Sequence, residues 1–447
     1  MDLKELARRI SQEVLRAVKP VRLIEENVKR EGKYLWVGGE RIDLDDYEGI
    51  SMISIGKAGG ALYESFWPLI KDRLKEALVT GVDKFEVKNN AILIPAAHPL
   101  PDKWSLEAGK KAYQLALSLS EKDLLLVLIS GGGSSHLCYP EFGLELEAKR
   151  EVIELLLKAG ADIKELNTVR KHLSRIKGGR LAKAAWPAKV VNLIISDVIG
   201  NDLENIASAP TWCDSSTFAQ ALEVLARKGI SEICPASALK ILLEGAKGRR
   251  EETVKKGDKI LGKVSSFIIG DNLKALYAAK QEARNYGLET IILTSEDNGQ
   301  AREAAEKYIQ QLSTFIQKVR EKKRAFCLLG GGELVVKVKG KGRGGRNTEF
   351  VLACLIEIIK QRQKFSDFDW LIMSLATDGV DGPTDSAGAW ISSEIISQVE
   401  RKGLEPEKYL ENNDSYSFFK EVGGILYTGP TGTNVMDVRL FLLAPRK

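Results

Sequence analysis

Histidine is scarce, cysteine is scattered, and no apolar run is long. Three histidines occur, His98, His136 and His172, so a multi-histidine metal centre is not expected. The five cysteines, Cys138, Cys213, Cys234, Cys327 and Cys354, lie far apart without a CxxC pair. That spacing argues against zinc clusters and a disulfide framework, and it fits a reducing cytoplasm. No apolar run reaches the length of a membrane span. The opening MDLKELARRISQEVLRAV carries both charge signs and lacks the apolar core of a signal peptide. Neither charge sign dominates: 66 Lys and Arg face 61 Asp and Glu, a net charge of +5. This is too even for a nucleic-acid face, although it suits a small anionic substrate. Neither nucleic acid nor a membrane is therefore expected as a partner. There is no clear internal repeat, only an echo in which each half has a strand followed by three glycines.

What is present is enough for two or three domains, because 447 residues of which 44% are hydrophobic can fill substantial cores. The most informative stretch is Leu124–His136, LLLVLISGGGSSH. Its apolar first half reads as a buried parallel strand. It stops at Ser130, Gly131, Gly132, Gly133, Ser134 and Ser135. Adjacent glycines let bare backbone N–H groups approach a ligand. A helix starting at Ser134 or Ser135 would add a dipole favouring an anion. The loop is neither a Walker A sequence nor GxGxxG, so it reads as an anion site, phosphate above others. The plain alternative is a strand-to-helix turn without a ligand.

Strands alternate with helices along the chain. Helical spacing runs through residues 2–30. Strands are expected at 50–55, 91–94, 124–129 and 190–195, with helices at 105–120 and 144–159. This alternation implies a doubly wound α/β domain with its ligand beyond the carboxyl ends of the strands. The motifs at 56–60, 130–135 and 196–197 all fall at such ends. A domain boundary is placed loosely within 230–262. A second α/β pattern then begins with a strand at 266–269 and continues through strands at 290–293, 325–329 and 371–376 and helices at 273–286, 300–321 and 348–360.

Several constellations carry polar chemistry. Lys57, just after a strand, either neutralises a phosphate or is an ordinary surface lysine. Residues 167–180 are rich in cations. If helical, with Asn167 as N-cap and Gly178–Gly179 as stop, Arg170, Ser174 and Lys177 share one face. That face is either solvated or binds an anion. Asp197 and Asp202 flank a strand end, where a phosphate-bound divalent cation needs few protein carboxylates. Lys339–Asn347 reads as a flexible basic loop whose cations can fold around an anion. Arg346, at a helix entry, suits bidentate contact with carboxylate or phosphate. Asp378, at a strand end, either orients a hydroxyl and takes its proton or makes a turn. Thr and Asn in the Gly429–Asn434 loop suit substrate hydroxyls. His98 and His136 read as structural hydrogen-bonding residues.

Taken in order, ISIGKAGGAL, AAHPLPD, LISGGGSSHL, LNTVRKHLSRIKGGRLA, ISDVIGNDLENIASAP, LLGGGELVVKVKGKGRGGRNTEF, ATDGVDGPTDSAGAW and GPTGTNVMD resemble the two-domain glycerate 2-kinase family with its C-terminal MOFRL domain. The resemblance spans about residues 5–445. It implies an N-terminal Rossmann-like doubly wound domain, taken as 1–240, and a C-terminal α/β domain of MOFRL type, 241–447, with the active-site cleft between them. The implied reaction is ATP-dependent phosphorylation of D-glycerate at its 2-hydroxyl, with a divalent cation, expected to be magnesium. By motif, Lys57, Arg346, Asp378 and Asn434 are the expected catalytic residues. Lys57, Arg343, Arg346 and Asn434 are expected on the substrate, with Arg343 sharing or replacing the role of Arg346. Ser130, Gly131, Gly132, Gly133, Ser134, Ser135 and Lys177 are expected at the nucleotide, the two serines offering hydroxyls, and Asp197 at the metal. A homo-oligomer is compatible with this reading. The competing enzyme reading is an NAD(P)-dependent hydroxypyruvate reductase, against which stands the missing GxGxxG with an acidic residue about 20 positions later. A non-catalytic small-anion-binding protein is the third.

Overall fold

The computed structural model describes residues 2–81, 87–88 and 90–446. Contacts divide the chain into two compact units, Leu23–Ile269 and the remainder. The unit Leu23–Ile269 is built on six strands, β1 (Gly49–Ile55), β2 (Leu74–Gly81), β3 (Ala91–Pro95), β4 (Asp123–Ile129), β5 (Lys189–Ile195) and β6 (Val264–Gly270). They lie in the order β3-β2-β1-β4-β5-β6. The four pairings among β1–β5 are parallel. Every residue of β1 and β4 is buried. That is why both read as unbroken apolar runs and not as alternating ones. The order is that of a Rossmann-like doubly wound sheet. It reverses between β1 and β4, and doubly wound sheets bind their ligands beyond the carboxyl ends at such a point. A second core within this unit gathers helices Leu146–Lys158, Ile163–His172, Phe218–Arg227 and Ala236–Ala246 around Leu156, Phe218, Leu225 and Leu242. Residues Val28–Asp43 make a small antiparallel meander, so the helical reading of 2–30 ends at Asn27.

The other unit holds the residues through Arg22 and those from Gly270 on. Its sheet contains β7 (Glu289–Asp297), β8 (Phe326–Gly332), β9 (Phe368–Ala376), β10 (Gly388–Ser392), β11 (Ile425–Leu426) and β12 (Asp437–Pro445). The order is β7-β8-β12-β9-β10-β11. Only β7 and β8 run parallel; the other pairings are antiparallel. Helix Arg346–Lys360 is buried along nearly its whole length, from Asn347 to Ile358.

The expected division at 240/241 moves in two respects. The segment 266–269, read as opening the second pattern, is instead the strand β6 that completes the first sheet beside β5. The helix Leu3–Ala17 packs on helix Asn272–Asn285 and on β9, and so joins the second unit. Its Asp2 cap accepts from the amides of Lys4 and Glu5, and Leu3, Leu6, Ala7, Ile10 and Val14 form its buried stripe.

Candidate active-site loops

In the first unit two loops meet where the strand order reverses. The chain leaves β1 through Gly56, whose φ is +99°. A Cβ there would lie 2.3 Å from the carbonyl oxygen of Ser130. The amide of Lys57 donates to the carbonyl of Gly131 (2.8 Å), that of Ala58 to Ser130 Oγ (3.0 Å), and that of Ser130 to the carbonyl of Ile55 (3.0 Å). Gly132, at φ +85°, lies under His98 and Lys57: a Cβ there would be 3.1 Å from His98 Cδ2 and 3.4 Å from Lys57 Cγ. Lys57, His98 and the glycine loop are thus brought together.

The amides of Gly131, Gly132 and Ser134 make no hydrogen bond among the described residues. They are donors that a bound anion takes. The helix after the loop, Gly133–His136, is a single turn. Its dipole adds little, so the anion-binding capacity rests on these amides. Both serine hydroxyls are engaged: Ser135 donates to the carbonyl of Pro99, and Ser134 Oγ lies 2.7 Å from Ser208 Oγ.

Lys177 is buried and donates to the carbonyls of Ser134 (2.8 Å) and Leu137 (3.1 Å). Burial, with Lys149 beside it, pulls its ammonium well below the ordinary lysine range. In this placement it holds the loop from beneath. The cationic segment 167–180 departs from its sequence reading. The helix is Ile163–His172, capped by Asp162, and Asn167 lies buried within it. Gly178 and Gly179 take left-handed conformations just before a new helix, Arg180–Ala185. Arg170, Ser174 and Lys177 therefore do not share a helical face. Lys171, His172 and Lys177 are buried, not solvated. Lys171 pairs with buried Asp214 at 2.6 Å, and His172 meets Glu252 at 3.0 Å.

His136 is the structural hydrogen-bonding residue its sequence context suggests, on a partner, Thr80, that sequence reasoning missed. His136 is fully buried, with Nδ1 3.1 Å from Thr80 Oγ1 and Nε2 unpartnered. Burial, aided by His98 and Lys57, pushes its pKa down to about 4. Thr80, at the end of β2, gave no signal in the sequence. Asp197 stands half-buried after β5, on the same carboxyl edge as the glycine loop. Among the described residues no three His, Cys, Asp or Glu side chains are grouped to hold a metal. A cation carried on phosphate oxygens needs few protein donors, and a carboxylate at this edge is of the hard oxygen type it takes.

In the second unit the candidate residues gather at one end of the sheet. Asp437, the first residue of β12, sits opposite Gly332 of β8 and Ala376 of β9. Arg346 makes a bidentate contact with its carboxylate, at 2.6 and 3.0 Å, and a further one to Glu333 at 2.7 Å. Burial alone would lower the guanidinium pKa, but Asp437 and Glu333 raise it above the ordinary arginine value. Thr377 ties Asp378 to Asn434: its Oγ1 donates to the carbonyl of Met436 (2.6 Å) and accepts from the amide of Val435 (2.9 Å). Asp378 Oδ1 accepts from the amide of Val380, and Asn434 Oδ1 from that of Met436. Arg346, Asp378 and Asn434 thus share one end of this unit, with Glu333 and Asp437 as residues not singled out from the sequence, although GGGE and NVMD lay in plain view.

Arg343 goes elsewhere. It stacks over Tyr416 at 5.1 Å and donates to the carbonyl of Pro383. The loop around it is not the flexible strap expected. Gly340, Gly342 and Gly344 press against Asn412–Ser415, where a Cβ would come within 2.2–2.3 Å of neighbouring atoms. Asn413 Oδ1 takes the amides of Lys339 and Gly340.

Residues 6–243 match the family model described as a domain of unknown function, DUF4147, and residues 326–437 match the MOFRL family. A glycerate 2-kinase of Pyrococcus horikoshii is 36% identical, over 100% of this chain and 99% of its own length. A D-glycerate 2-kinase of Thermotoga maritima is 35% identical over 99% of both. The solved structure of a Thermotoga maritima glycerate kinase superposes with a TM-score of 0.82 at 34% identity, covering 99% of each chain. An Agrobacterium vitis relative, 38% identical over 88% of this chain and 86% of its own, carries a provisional hydroxypyruvate reductase name. The chain belongs to the glycerate kinase family that joins these two domains.

Proposed function

We propose that the protein transfers the γ-phosphoryl group of ATP to the 2-hydroxyl of D-glycerate, giving 2-phosphoglycerate and ADP. The observation that carries this reading is similarity to glycerate 2-kinases over the whole chain, taking in the loop clusters of both units. The transfer forms a bond between glycerate O2 and the γ-phosphorus and breaks the bond to the bridging oxygen, whose electron pair leaves on ADP. The hydroxyl proton passes to Asp378, which also orients the hydroxyl. Such a reaction asks for positioned cations and donors more than for covalent help. The amides of Gly131, Gly132 and Ser134, in the loop from Ser130 through Gly133 to Ser135, hold nucleotide phosphate, and Lys177 holds that loop. Lys57 balances phosphate charge, and Arg346 meets the substrate through the N–H groups that Asp437 and Glu333 leave open. Asn434 reads a substrate hydroxyl. A divalent cation, magnesium in the cell, would neutralise charge on the phosphate oxygens, and Asp197 would hold it by its carboxylate. The five cysteines are free and buried, which suits a reducing cytoplasm.

The test supplies ATP, magnesium and D-glycerate and identifies the product by phosphorus NMR. A 2-phosphoglycerate signal is expected; 3-phosphoglycerate overturns the regiochemistry, and no phosphorylated product overturns the reading. The reductase name of the Agrobacterium relative is checked alongside. The turn after β1 carries Ala58 where a dinucleotide fingerprint that starts at Gly56 requires its second glycine, so no NADH consumption with hydroxypyruvate is expected.

A further inference from the structure

Beneath the glycine loop lies a chain of hydrogen bonds that runs in one direction only. Asn205 Nδ2 donates to Asp202 Oδ2 (2.6 Å), and a carboxylate only accepts. Asn205 therefore turns its Oδ1 outward, where Asn167 Nδ2 donates to it at 3.0 Å. The same Nδ2 donates to the backbone carbonyl of Asn205 at 3.3 Å, which fixes the Asn167 amide a second time. Asn167 Oδ1 is left to accept, and it takes the proton of Ser208 Oγ at 2.9 Å. Ser208 has one proton and has spent it. At 2.7 Å it can only accept from Ser134 Oγ. Asn167 and Ser208 are fully buried, so no solvent competes for these protons. Ser208 is held in place by three successive non-glycine residues in the left-handed region, Ala207, Ser208 and Ala209, at φ 49°, 57° and 52°. Such a conformation persists only where the surroundings over-determine it.

The consequence is a polarity. The proton of Ser134 points down, and its lone pairs face outward beside the unbonded amides of Gly131, Gly132 and Ser134 itself. An oxygen that only accepts repels a phosphate oxygen placed against it, unless an electron-pair acceptor lies between them. We infer that Ser134 Oγ is a ligand of the divalent cation that arrives with the nucleotide, and that Asn167 and Ser208 are positioning residues that aim it. This rests on the kinase reading above and replaces the expectation that Ser134 donates to phosphate.

The test uses the full-length protein with ADP as nucleotide. Ser134→Cys puts a soft thiolate at the position, and the five native cysteines are all buried, so the background is low. Cadmium with ADP is expected to raise an ultraviolet thiolate-to-cadmium absorption in this variant and to bind about tenfold more tightly than to the unaltered protein. Unchanged cadmium affinity without the absorption, in a variant that still binds ADP, overturns the proposal. Ser208→Ala leaves Ser134 intact but frees its proton. Manganese–ADP affinity, read from the electron paramagnetic resonance of free manganese, is expected to fall about tenfold. Metal-free ADP affinity is expected to stay within about twofold. An equal loss for both forms means that Ser134 contacts the nucleotide itself, and the proposal fails while the kinase reading stands. An unaltered protein that binds neither form of ADP takes down both.

Discussion

Lys57 is placed by its backbone. Its amide is tied to Gly131 and the next amide to Ser130, and its Cγ lies 3.4 Å from where a Cβ on Gly132 would be. Truncation should therefore remove charge without disturbing the fold. Lys57→Ala is expected to lower kcat/KM for the kinase reaction by about 10²–10³-fold, the scale of one lost stabilising donor. The melting temperature should stay within a few degrees; near-normal turnover would refute the role. His136 makes a different prediction. Its folded pKa of about 4 lies below the unfolded value near 6.5. Between these values the unfolded chain binds the proton and the folded one does not, so stability falls as pH drops from about 6.5 towards 4. The loss approaches about 3 kcal/mol at the acid end. Urea unfolding across this range should show that slope, and His136→Gln should lack it; parallel curves would refute it. In the sequence His136 was a lone histidine after two serines. Its burial depends on Thr80, a strand away, and no local pattern reports such a contact. Lys57, Arg346, Asp378 and Asn434 were legible as candidates because each sits in a glycine-rich motif at an element boundary. Glu333 and Asp437 were not, since their partner Arg346 is distant in the chain.

Among elements, helix Arg346–Lys360 shows how a site residue is fixed from outside its own segment. Gly345 supplies no capping side chain. Asp381, from the loop after β9, accepts from the amides of Asn347 and Thr348, both at 2.8 Å, and from Thr348 Oγ1. Burial raises its pKa despite these bonds. Asp381→Ala is expected to cost about 2–4 kcal/mol, because it strands buried donors at a helix start. It should also loosen Arg346 in the first turn. Urea midpoints and the KM for glycerate would both move, and a shift under about 0.5 kcal/mol would refute the capping role. The same region shows what glycine spacing hides. Lys339–Asn347 looked flexible because glycine permits motion, yet here glycine permits contact with Asn412–Ser415. Both uses leave the same composition. Residues 167–180 misled for a related reason: charge usually marks solvent, whereas Asp214 and Glu252 arrive from elsewhere to neutralise it.

At the scale of the whole molecule, the doubly wound sheet was legible because parallel buried strands announce themselves as apolar runs. The strands of the second sheet at 290–293, 325–329 and 371–376 were legible in the same way, but its order was not, since antiparallel insertion of β12 between β8 and β9 depends on pairing between segments far apart in the chain. The same non-local logic places the first helix. Leu3, Leu6, Ile10 and Val14 are buried in the unit that otherwise begins at Gly270. Val18 follows, its carbonyl accepting from Thr433 Oγ1 at 2.8 Å, one residue from Asn434. Four large apolar side chains are worth about 1.5–3 kcal/mol each, or about 6–12 kcal/mol as an upper bound. A domain's total stability is about 5–15 kcal/mol. Removing residues 1–18 should therefore unfold or loosen the second unit and leave the first intact. Hydrogen exchange read by mass spectrometry would show β8, β9 and β12 losing protection while β1 and β4 keep theirs. Turnover should vanish with the first of these changes, because the Asn434 loop loses its anchor. If β9 and β12 stayed as protected as in the full chain, the helix would be an appendage of its sheet and not part of its core.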